Sequence, residues 1–336
     1  MSFRHISVLA ALLFLLAWSW EGEAHARRPL VMIINSYSLN YSWVRSHNEG
    51  LTYVLGADVD LSIHYLDTKR LAPEEYQGNV DRAWAAVQED RPDVVVLTDD
   101  NAIRLLGRRV MDAGIPVVFL GVSENPRVYL DDMKLATGVL ERPLFKRSIL
   151  YFKDILGPTL QRALILFDTS NTSQTIMNSI FKGKRSHMLA NTAVEVLLLE
   201  TFEEWQQAIL TVENTGNNIV FAGLYHNLKD ANGQHVPSET VIRWTSAHSP
   251  VPVFGFWDFS VGKGKAVGGL VNSGRTQGED AARLVQQILT GTEPKELYPI
   301  TAENGIFLFS FHELDRWGLV LPYDFHPMTD PVYFVE

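Results

Sequence analysis

The sequence has no cysteine in its 336 residues. This absence excludes a disulfide framework, a thiol nucleophile and a zinc–thiolate site. Positive charge is also sparse, because 29 lysines and arginines stand against 39 aspartates and glutamates, which gives a formal net charge of −10. No basic run interleaved with aromatic residues offsets that balance, so we expect no nucleic-acid partner.

A long apolar run occurs only at the start of the chain. The basic "MSFRH" precedes the run "ISVLAALLFLLAWSW", and the small-residue signal "AHA" follows at Ala24–Ala26. This order is typical of a secretory signal peptide, so residues 1–26 are predicted to be removed by cleavage after Ala26. The mature protein is then expected in the periplasm, and an uncleaved N-terminal anchor is the alternative.

Signatures of catalysis and of metal binding are missing as well. The ten histidines form no H-x-H or H-E-x-x-H spacing, so no metal site is indicated. The stretch "GVSEN" at 121–125 lacks the last glycine of the G-x-S-x-G nucleophile elbow. The stretch "GKGKAVGG" at 262–269 lacks the spacing of a phosphate loop. We therefore expect no enzyme and no cofactor, and an exported hydrolase is disfavoured.

The apolar pattern that is present predicts an α/β fold. Strand-length apolar runs at 30–34, 94–97 and 117–120 are continuous rather than alternating, which is typical of strands covered on both faces. Helix-like segments such as 73–89 separate them, and the same pattern starts again at residue 163. The sequence therefore predicts two doubly wound parallel-sheet lobes with separate cores.

The loops that follow the predicted strands are rich in aromatic and polar residues. Ligands of open parallel sheets bind beyond the carboxyl ends of the strands, so we expect these loops to wall one cleft. They read "NSYSLNYSW" (35–43), "TDDN" (98–101), "GVSENP" (121–126), "DTSNTS" (168–173), "GLYHN" (223–227) and "GFWDFSVGKG" (255–264).

Nine residues in these loops are the predicted ligand contacts. Three aromatic residues are expected to pack against an apolar or ring portion of the ligand: Tyr37, Tyr225 and Trp257. Polar side chains are expected to bind its carboxylate, hydroxyl or amine groups: Ser36, Thr98, Ser123, Thr169, Asn171 and Asp258, with Asp258 for an amine or hydroxyl.

Purely structural roles, without a ligand contact, remain open for several of these residues. Ser36 is equally suited to a helix N-cap, and Asp258 to a turn cap. Trp43 is as well explained by core packing as by a ligand contact. The adjacent pair Asp99 and Asp100 points in different directions at a helix start, which favours capping over a paired carboxylate site.

The loops and a late glycine-rich segment resemble a known family. "VFLGVSEN", "LFDTSNTSQT", "GLYHN" and "VPVFGFWDFSVGKGKAVGGLVNSGRTQGEDAARLVQQILTGTEP" resemble, in that order and spacing, the ABC-transporter substrate-binding family of the type I periplasmic binding fold. "NSY…W" and "FHELDRWGLVLP" are more similar to a sub-branch that supplies extracellular sensor regions of bacterial histidine kinases. The resemblance implies two lobes, joined by a three-stranded hinge, that close over a small solute.

The resemblance also implies boundaries for the lobes. The N-terminal lobe is expected to comprise residues 27–141 plus 274–300, and the C-terminal lobe residues 142–273 plus 301–336. The chain is expected to cross between them near Leu140–Pro143, Val271–Arg275 and Pro299–Gly305, with Gly274 absorbing a backbone change.

The expected partners follow from the same resemblance. Relatives bind amino acids, aromatic ones included, but the "DP" they often carry after the fourth strand is replaced here by Ser123-Glu124-Asn125. We expect a monomer that binds a small polar organic solute, amino-acid-like or ring-bearing. Because the sequence contains no kinase or cyclase segment, we expect delivery to an inner-membrane ABC permease. The alternative is a free sensor subunit for a membrane kinase.

The cleavage site gives the first prediction. The mature protein should begin at Arg27, because signal peptidase cuts after a small-residue motif that follows a short apolar run. Intact-mass spectrometry of the exported protein measures this start directly. A protein that retains Met1 and sediments with membranes would contradict it.

Overall fold

The computed structural model describes residues 27–157, 160–301, 305–321 and 332–336. The predicted signal peptide at 1–26 lies outside the described residues. Within the described part of the chain, no helix combines the length and the apolar character needed to cross a membrane.

The first lobe is built on a parallel sheet of six strands. The sheet has the order β12-β5-β4-β3-β1-β2, and every pair is parallel. Its strands are β1 (Leu30–Asn35), β2 (Asp60–Tyr65), β3 (Val94–Thr98), β4 (Val117–Val122), β5 (Ala136–Leu140) and β12 (Ile300–Thr301).

Alternate residues of each central strand enter separate cores on the two faces of this sheet. Val31 and Ile33 of β1 join one apolar cluster, and Met32 and Ile34 join the other. Burial on both faces explains why these strands read as continuous apolar runs.

The second lobe contains a five-stranded sheet and a three-stranded sheet. The five-stranded sheet has the order β10-β9-β6-β8-β7 and is parallel except at its β7 edge. Its strands are β6 (Arg162–Asp168), β7 (Ser186–Leu189), β8 (Thr192–Leu199), β9 (Ile219–Ala222) and β10 (Val253–Gly255). The three-stranded sheet comprises β11 (Gly268–Val271), β13 (Ile306–Ser310) and β14 (Val332–Val335).

Helices cover the sheets of both lobes. In the first lobe they are α1 (Ser42–Leu55), α2 (Pro73–Asp90), α3 (Asp99–Ala102), a π-helical turn (Ile103–Gly107), α4 (Arg108–Asp112) and α9 (Gly274–Leu289). In the second lobe they are α5 (Phe145–Leu156), α6 (Asn171–Ser179), α7 (Phe202–Leu210), α8 (Ser238–His248) and α10 (Phe311–Trp317). The predicted α/β class with parallel sheets is confirmed.

One predicted helix is wrong in its length. The sequence pattern predicts a helix over 173–190, but α6 ends at Ser179 and the remaining residues lead into strand β7. Lys182 and Gly183 both have positive φ, at 52° and 69°, and this left-handed backbone ends the helix. The segment then turns to pair antiparallel with β8.

The chain passes between the lobes three times, between β5 and α5, between β11 and α9, and between β12 and β13. The division of the chain at residues 141, 273 and 300 stays a prediction, because one arrangement of the lobes does not show which residues move. The role of Gly274 in absorbing a backbone change also stays a prediction, and its surroundings add a packing constraint. A Cβ at this position would lie 2.8 Å from Cβ of Ser46, so the start of α9 has no room for a side chain.

Helices α1 and α9 approach each other closely through two glycines. A Cβ on Gly50 would lie 2.1 Å from the carbonyl oxygen of Arg275, and one on Gly278 would lie 2.3 Å from that of His47. Both obstacles are backbone atoms, which cannot rotate away. This contact holds α9 against the first lobe. It therefore determines where the second crossing, from β11 to α9, ends.

This close approach gives a stability prediction. Gly278→Ala should lower the free energy of unfolding by about 1–3 kcal/mol, because the added methyl group forces α1 and α9 apart. Urea unfolding followed by circular dichroism measures the change.

Gly78→Ala is the matched control. Gly78 also lies within a helix, and its nearest neighbour to a new Cβ is a flexible arginine side chain at 3.6 Å. Alanine should therefore stabilise this helix by roughly 0.5–1 kcal/mol. Equal effects at the two positions would show that helix propensity, and not the helix contact, governs Gly278.

Candidate ligand-binding cleft

Loops from both lobes meet at the carboxyl ends of the parallel strands and enclose a small cavity, the inner chamber. Its volume is about 20 Å³. The first lobe contributes Tyr37, Tyr41, Trp43, Lys69, Asp99 and Glu141, from the segments after β1, β2, β3 and β5. The second lobe contributes Thr172, Leu224, Trp257 and Phe259, from the segments after β6, β9 and β10. This cavity lies at the carboxyl ends of the strands, which is the position predicted for the cleft.

Two larger cavities adjoin the inner chamber. The outer chamber, of about 270 Å³, shares Tyr37, Tyr41 and Lys69 with it and extends to His226. The side chamber, of about 320 Å³, shares Tyr41 and Phe259 with the inner chamber and extends to other residues of the second lobe, among them Tyr225, Asp258 and Lys265. Together the three cavities give room for a small organic molecule between the lobes.

Two buried carboxyl groups face the inner chamber. The Trp43 indole donates to Asp99 Oδ1 over 3.2 Å, and the Trp257 indole donates to Glu141 Oε1. Ser123 Oγ donates to the second oxygen of Glu141 over 3.3 Å. These donors orient both carboxyl groups, and the bond from Trp257 joins the second lobe to the first.

Burial shifts the protonation of both acids in the same direction. Burial raises the pKa of Glu141 to about 7, although the hydrogen bond from Trp257 opposes the shift. Burial also raises the pKa of Asp99 well above its usual range; the neighbouring Glu141 adds to the shift and Lys69 opposes it. Near neutral pH the protonation of Glu141 therefore responds to a charge placed beside it.

The ammonium group of Lys69 lies among aromatic rings beside these acids. Its Nζ is 4.2 Å from the ring centroids of both Tyr37 and Tyr41, and it donates to Tyr41 Oη over 3.1 Å. Burial lowers the pKa of this lysine, while Asp99 and two other carboxylates oppose that shift. The rings and acids thus form a pocket suited to a cation.

Aromatic rings also close the cleft across the lobes. Tyr41 of the first lobe packs edge-on against His226 of the second, with ring centroids 4.7 Å apart. Trp43 meets Phe259 edge-on at 6.1 Å, and Trp257 stacks on Phe259 at the same centroid distance. The lining is therefore apolar around its charged groups.

The structure brings four of the nine predicted residues to the cavities. Tyr37 and Trp257 line the inner chamber, and Tyr225 and Asp258 line the side chamber. Their contacts with a ligand stay a prediction.

The other five predicted residues lie outside the cavity linings. Ser36 Oγ donates to the Thr98 carbonyl over 2.5 Å and accepts from the amide of Ala102, so it ties the loop after β1 to α3. Thr98 is buried in the same network, and Ser123 supports Glu141. In the second lobe Thr169 is half-buried and Asn171 is exposed at the start of α6.

The position of Phe256 and Trp257 after a predicted strand predicts that both are exposed loop aromatics, and this prediction is wrong. Both side chains are 1% exposed and belong to the core of the second lobe, because β11 and α5 cover this segment. Trp257 is thus a core residue with one face on the inner chamber. Asp258 is a turn residue whose carboxylate accepts from the amide of Gly274, and its burial raises its pKa to about 6.

Sequence reasoning missed the charged residues of the site. The prediction that Asp99 and Asp100 cap their helix is wrong, because no side chain caps α3 and Asp100 instead accepts the amides of Ser123 and Glu124 in the loop after β4. Asp99 has a left-handed φ of 59°, which separates the two side chains. Lys69 lies in the loop after β2 and Glu141 in the predicted crossing after β5, and neither segment is among the six loops predicted to wall the cleft. A position in a segment that follows a strand was the available signal for all three.

Groups of three or more histidine, aspartate or glutamate side chains with metal-binding geometry are absent from the described residues. The chemistry available in the cleft is therefore that of its carboxyl groups, the lysine ammonium and the rings.

The sequence matches no protein-family model and no curated protein sequence. Solved structures resemble it over most of its length. One is an ABC domain from Streptococcus pneumoniae in complex with L-Trp, with 15% identity, a TM-score of 0.65, and coverage of 91% of this chain and 100% of the other. Another is a ligand-free, open substrate-binding protein with adhesive properties from Clostridium difficile, with 11% identity, a TM-score of 0.63, and coverage of 92% and 100%.

A third similar structure is a glucose-galactose binding protein from Geobacillus stearothermophilus, with 13% identity, a TM-score of 0.53, and coverage of 82% of this chain and 95% of the other. The likeness to these structures establishes the fold of this chain as that of type I periplasmic binding proteins, and the fold expected from the sequence is confirmed.

The raised pKa of Glu141 gives a pH prediction. Its folded pKa of about 7 exceeds the ordinary value of 4.5, so between these pH values the folded state keeps a proton that the unfolded state has released. Stability from this group is therefore lost as pH rises through that window. Glu141→Gln has no such proton, so the wild-type protein should lose stability relative to the variant between pH 4.5 and pH 7.

Urea unfolding of both proteins across this pH range measures the difference. Buried His47, whose pKa is lowered to about 3, changes stability in the opposite direction, but it is present in both proteins and cancels in the comparison. A difference that stays constant with pH would contradict the prediction.

Proposed function

We propose that this protein is a periplasmic solute-binding protein of an ABC-type transport system, which binds a small polar organic solute between its lobes. The observation that carries the proposal is the set of three adjoining cavities between the lobes, where charged side chains of the first lobe meet aromatic residues of both lobes. Clefts lined by aromatic rings and a few oriented polar groups are typical of small-molecule sites. The type I periplasmic binding fold supports this role.

The lining favours a solute that is amino-acid-like or ring-bearing. Carboxyl groups of Asp99 and Glu141 suit an amine, and the rings of Tyr41, Trp257 and Phe259 suit a flat or apolar portion. The complex of the similar Streptococcus domain with L-Trp supports an amino-acid-like solute for this chain.

Export to the periplasm is part of the proposal. It rests on the "AHA" motif after a short apolar run, with cleavage after Ala26. In that compartment the loaded protein would dock as a monomer on an inner-membrane permease.

A free sensor subunit that presents the same ligand to a membrane kinase is the second candidate. The stretches "NSY…W" and "RWGLVLP" favour it, because they resemble the sensor sub-branch. Neighbouring genes separate the two roles: a permease and an ATPase indicate transport, and a kinase indicates signalling.

The binding role can be tested by thermal shift with a library of amino acids, amines and aromatic acids. A ligand of the native state stabilises it by about 2.7 kcal/mol at one hundred times its dissociation constant, so a true ligand raises the melting temperature. Thr172→Trp should abolish that rise, because the new ring fills the inner chamber.

Asn178→Trp is the matched control. Asn178 lies on the same helix α6 but is exposed, so a ring there leaves the chamber unchanged and the ligand response should persist. A library without any hit, or a hit that Thr172→Trp leaves intact, would count against binding in this cleft.

A further inference from the structure

The side chain of Lys69 occupies the position best suited to a cation in this cleft. Its Nζ lies 4.2 Å from the centroids of two tyrosine rings, Tyr37 and Tyr41, and its side chain is half-buried. A ring face attracts an ammonium group more strongly when both are desolvated. The two tyrosines therefore form a binding place for an ammonium group that the chain fills with its own lysine.

The inner chamber contains more acidic than basic side chains. Asp99 and Glu141 both line it, and Lys69 is the one cationic side chain among its described lining residues. Burial raises the pKa of both acids, and a cation beside them favours their ionised form. A ligand ammonium group that replaces Lys69 keeps this attraction, whereas a ligand carboxylate in the same place would be repelled by the ionised acids.

Lys69 also lies at the boundary between two cavities. Together with Tyr37 and Tyr41 it lines both the inner and the outer chamber. The backbone of its loop is held in place, since the amide and the hydroxyl of Thr68 both donate to the Ser36 carbonyl over 2.9 Å. The ammonium group itself is held by the hydrogen bond to Tyr41 Oη and by the charge and ring contacts already described. Displacement of Lys69 therefore requires movement of its side chain and not of the backbone of its loop.

We propose that the ligand of this cleft carries an ammonium group, which binds between Tyr37, Tyr41 and the two carboxyl groups, and that Lys69 is a built-in competitor which the ligand displaces. The inference rests on the proposed binding function and specifies its ligand as a cationic amine whose body lies in the outer chamber. Competition by an attached side chain lowers the apparent affinity by the fraction of time that the site is open. Lys69 would thereby exclude weak amines.

The test uses three ligands with the same ring and different charges: phenethylamine, phenylalanine and 3-phenylpropionate. Each is titrated by calorimetry into the wild-type mature protein, Lys69→Met and Lys134→Met. Methionine keeps the length and apolar stem of lysine without its charge, and Lys134 is an exposed lysine outside the cavities. Melting temperatures without ligand verify that each variant is folded, and Lys69→Gln replaces Lys69→Met if that variant fails to fold.

We expect the wild-type protein to bind phenethylamine and phenylalanine at least about tenfold more tightly than 3-phenylpropionate. Lys69→Met should bind phenethylamine about tenfold or more tightly than the wild type, as for a site closed nine-tenths of the time. Lys134→Met should match the wild type. Thr172→Trp should abolish binding of the amine, which places the effect in the inner chamber.

Other outcomes overturn the inference in distinguishable ways. If 3-phenylpropionate binds best and Lys69→Met weakens it, Lys69 is an anion contact, and the inference fails while solute binding in the cleft stands. An amine affinity unchanged by Lys69→Met shows that the lysine is no competitor. If none of the three compounds binds but the wider library yields a ligand that Thr172→Trp blocks, the cationic ring-bearing class is wrong and the binding function stands. If no compound in the library binds, both the inference and the proposed binding function fail.

Discussion

Buried charge between the lobes is the constraint on which the cleft depends. The carboxyl groups of Asp99 and Glu141 are buried beside the half-buried side chain of Lys69, and an unpaired buried charge costs several kcal/mol. The Trp43 indole donates to Asp99, and the Trp257 indole of the opposite lobe donates to Glu141. The bond from Trp257 depends on this arrangement of the lobes, which couples the protonation of Glu141 to the position of the second lobe.

The aromatic rings have a second effect on the same groups. Tyr41 contacts both the Lys69 ammonium and His226 of the other lobe, so one ring belongs at once to the cation site and to the interface. Packing of this kind excludes water and strengthens the electrostatic interactions inside. The proposed solute contacts and the contact between the lobes thus involve the same side chains, and a change in one is expected to alter the other.

The fold could be predicted from the sequence because it depends on local patterns of apolar residues. Continuous apolar runs indicated strands buried on both faces, and the sheet of the first lobe has that character. The helix predicted over 173–190 failed because the left-handed turn at Lys182 and Gly183 and the pairing of β7 with β8 outweighed helical periodicity. Edge pairing of this kind depends on a neighbouring strand, which the local pattern does not contain.

The sequence alone determined that polar and aromatic loops follow the strands. Because the carboxyl ends of parallel strands lie at one edge of a sheet, these loops were expected to lie together. Only the tertiary structure decided which of their side chains face the cavity. Ser36 and Thr98 form a buried hydrogen bond that connects their loops. Asp99, with its left-handed backbone, faces the chamber, and Asp100 points away from it. Lys69 and Glu141, from segments 72 residues apart, meet Trp257 of the other lobe there. Such meetings depend on how two separately folded sheets are placed, and no single stretch of sequence encodes that placement.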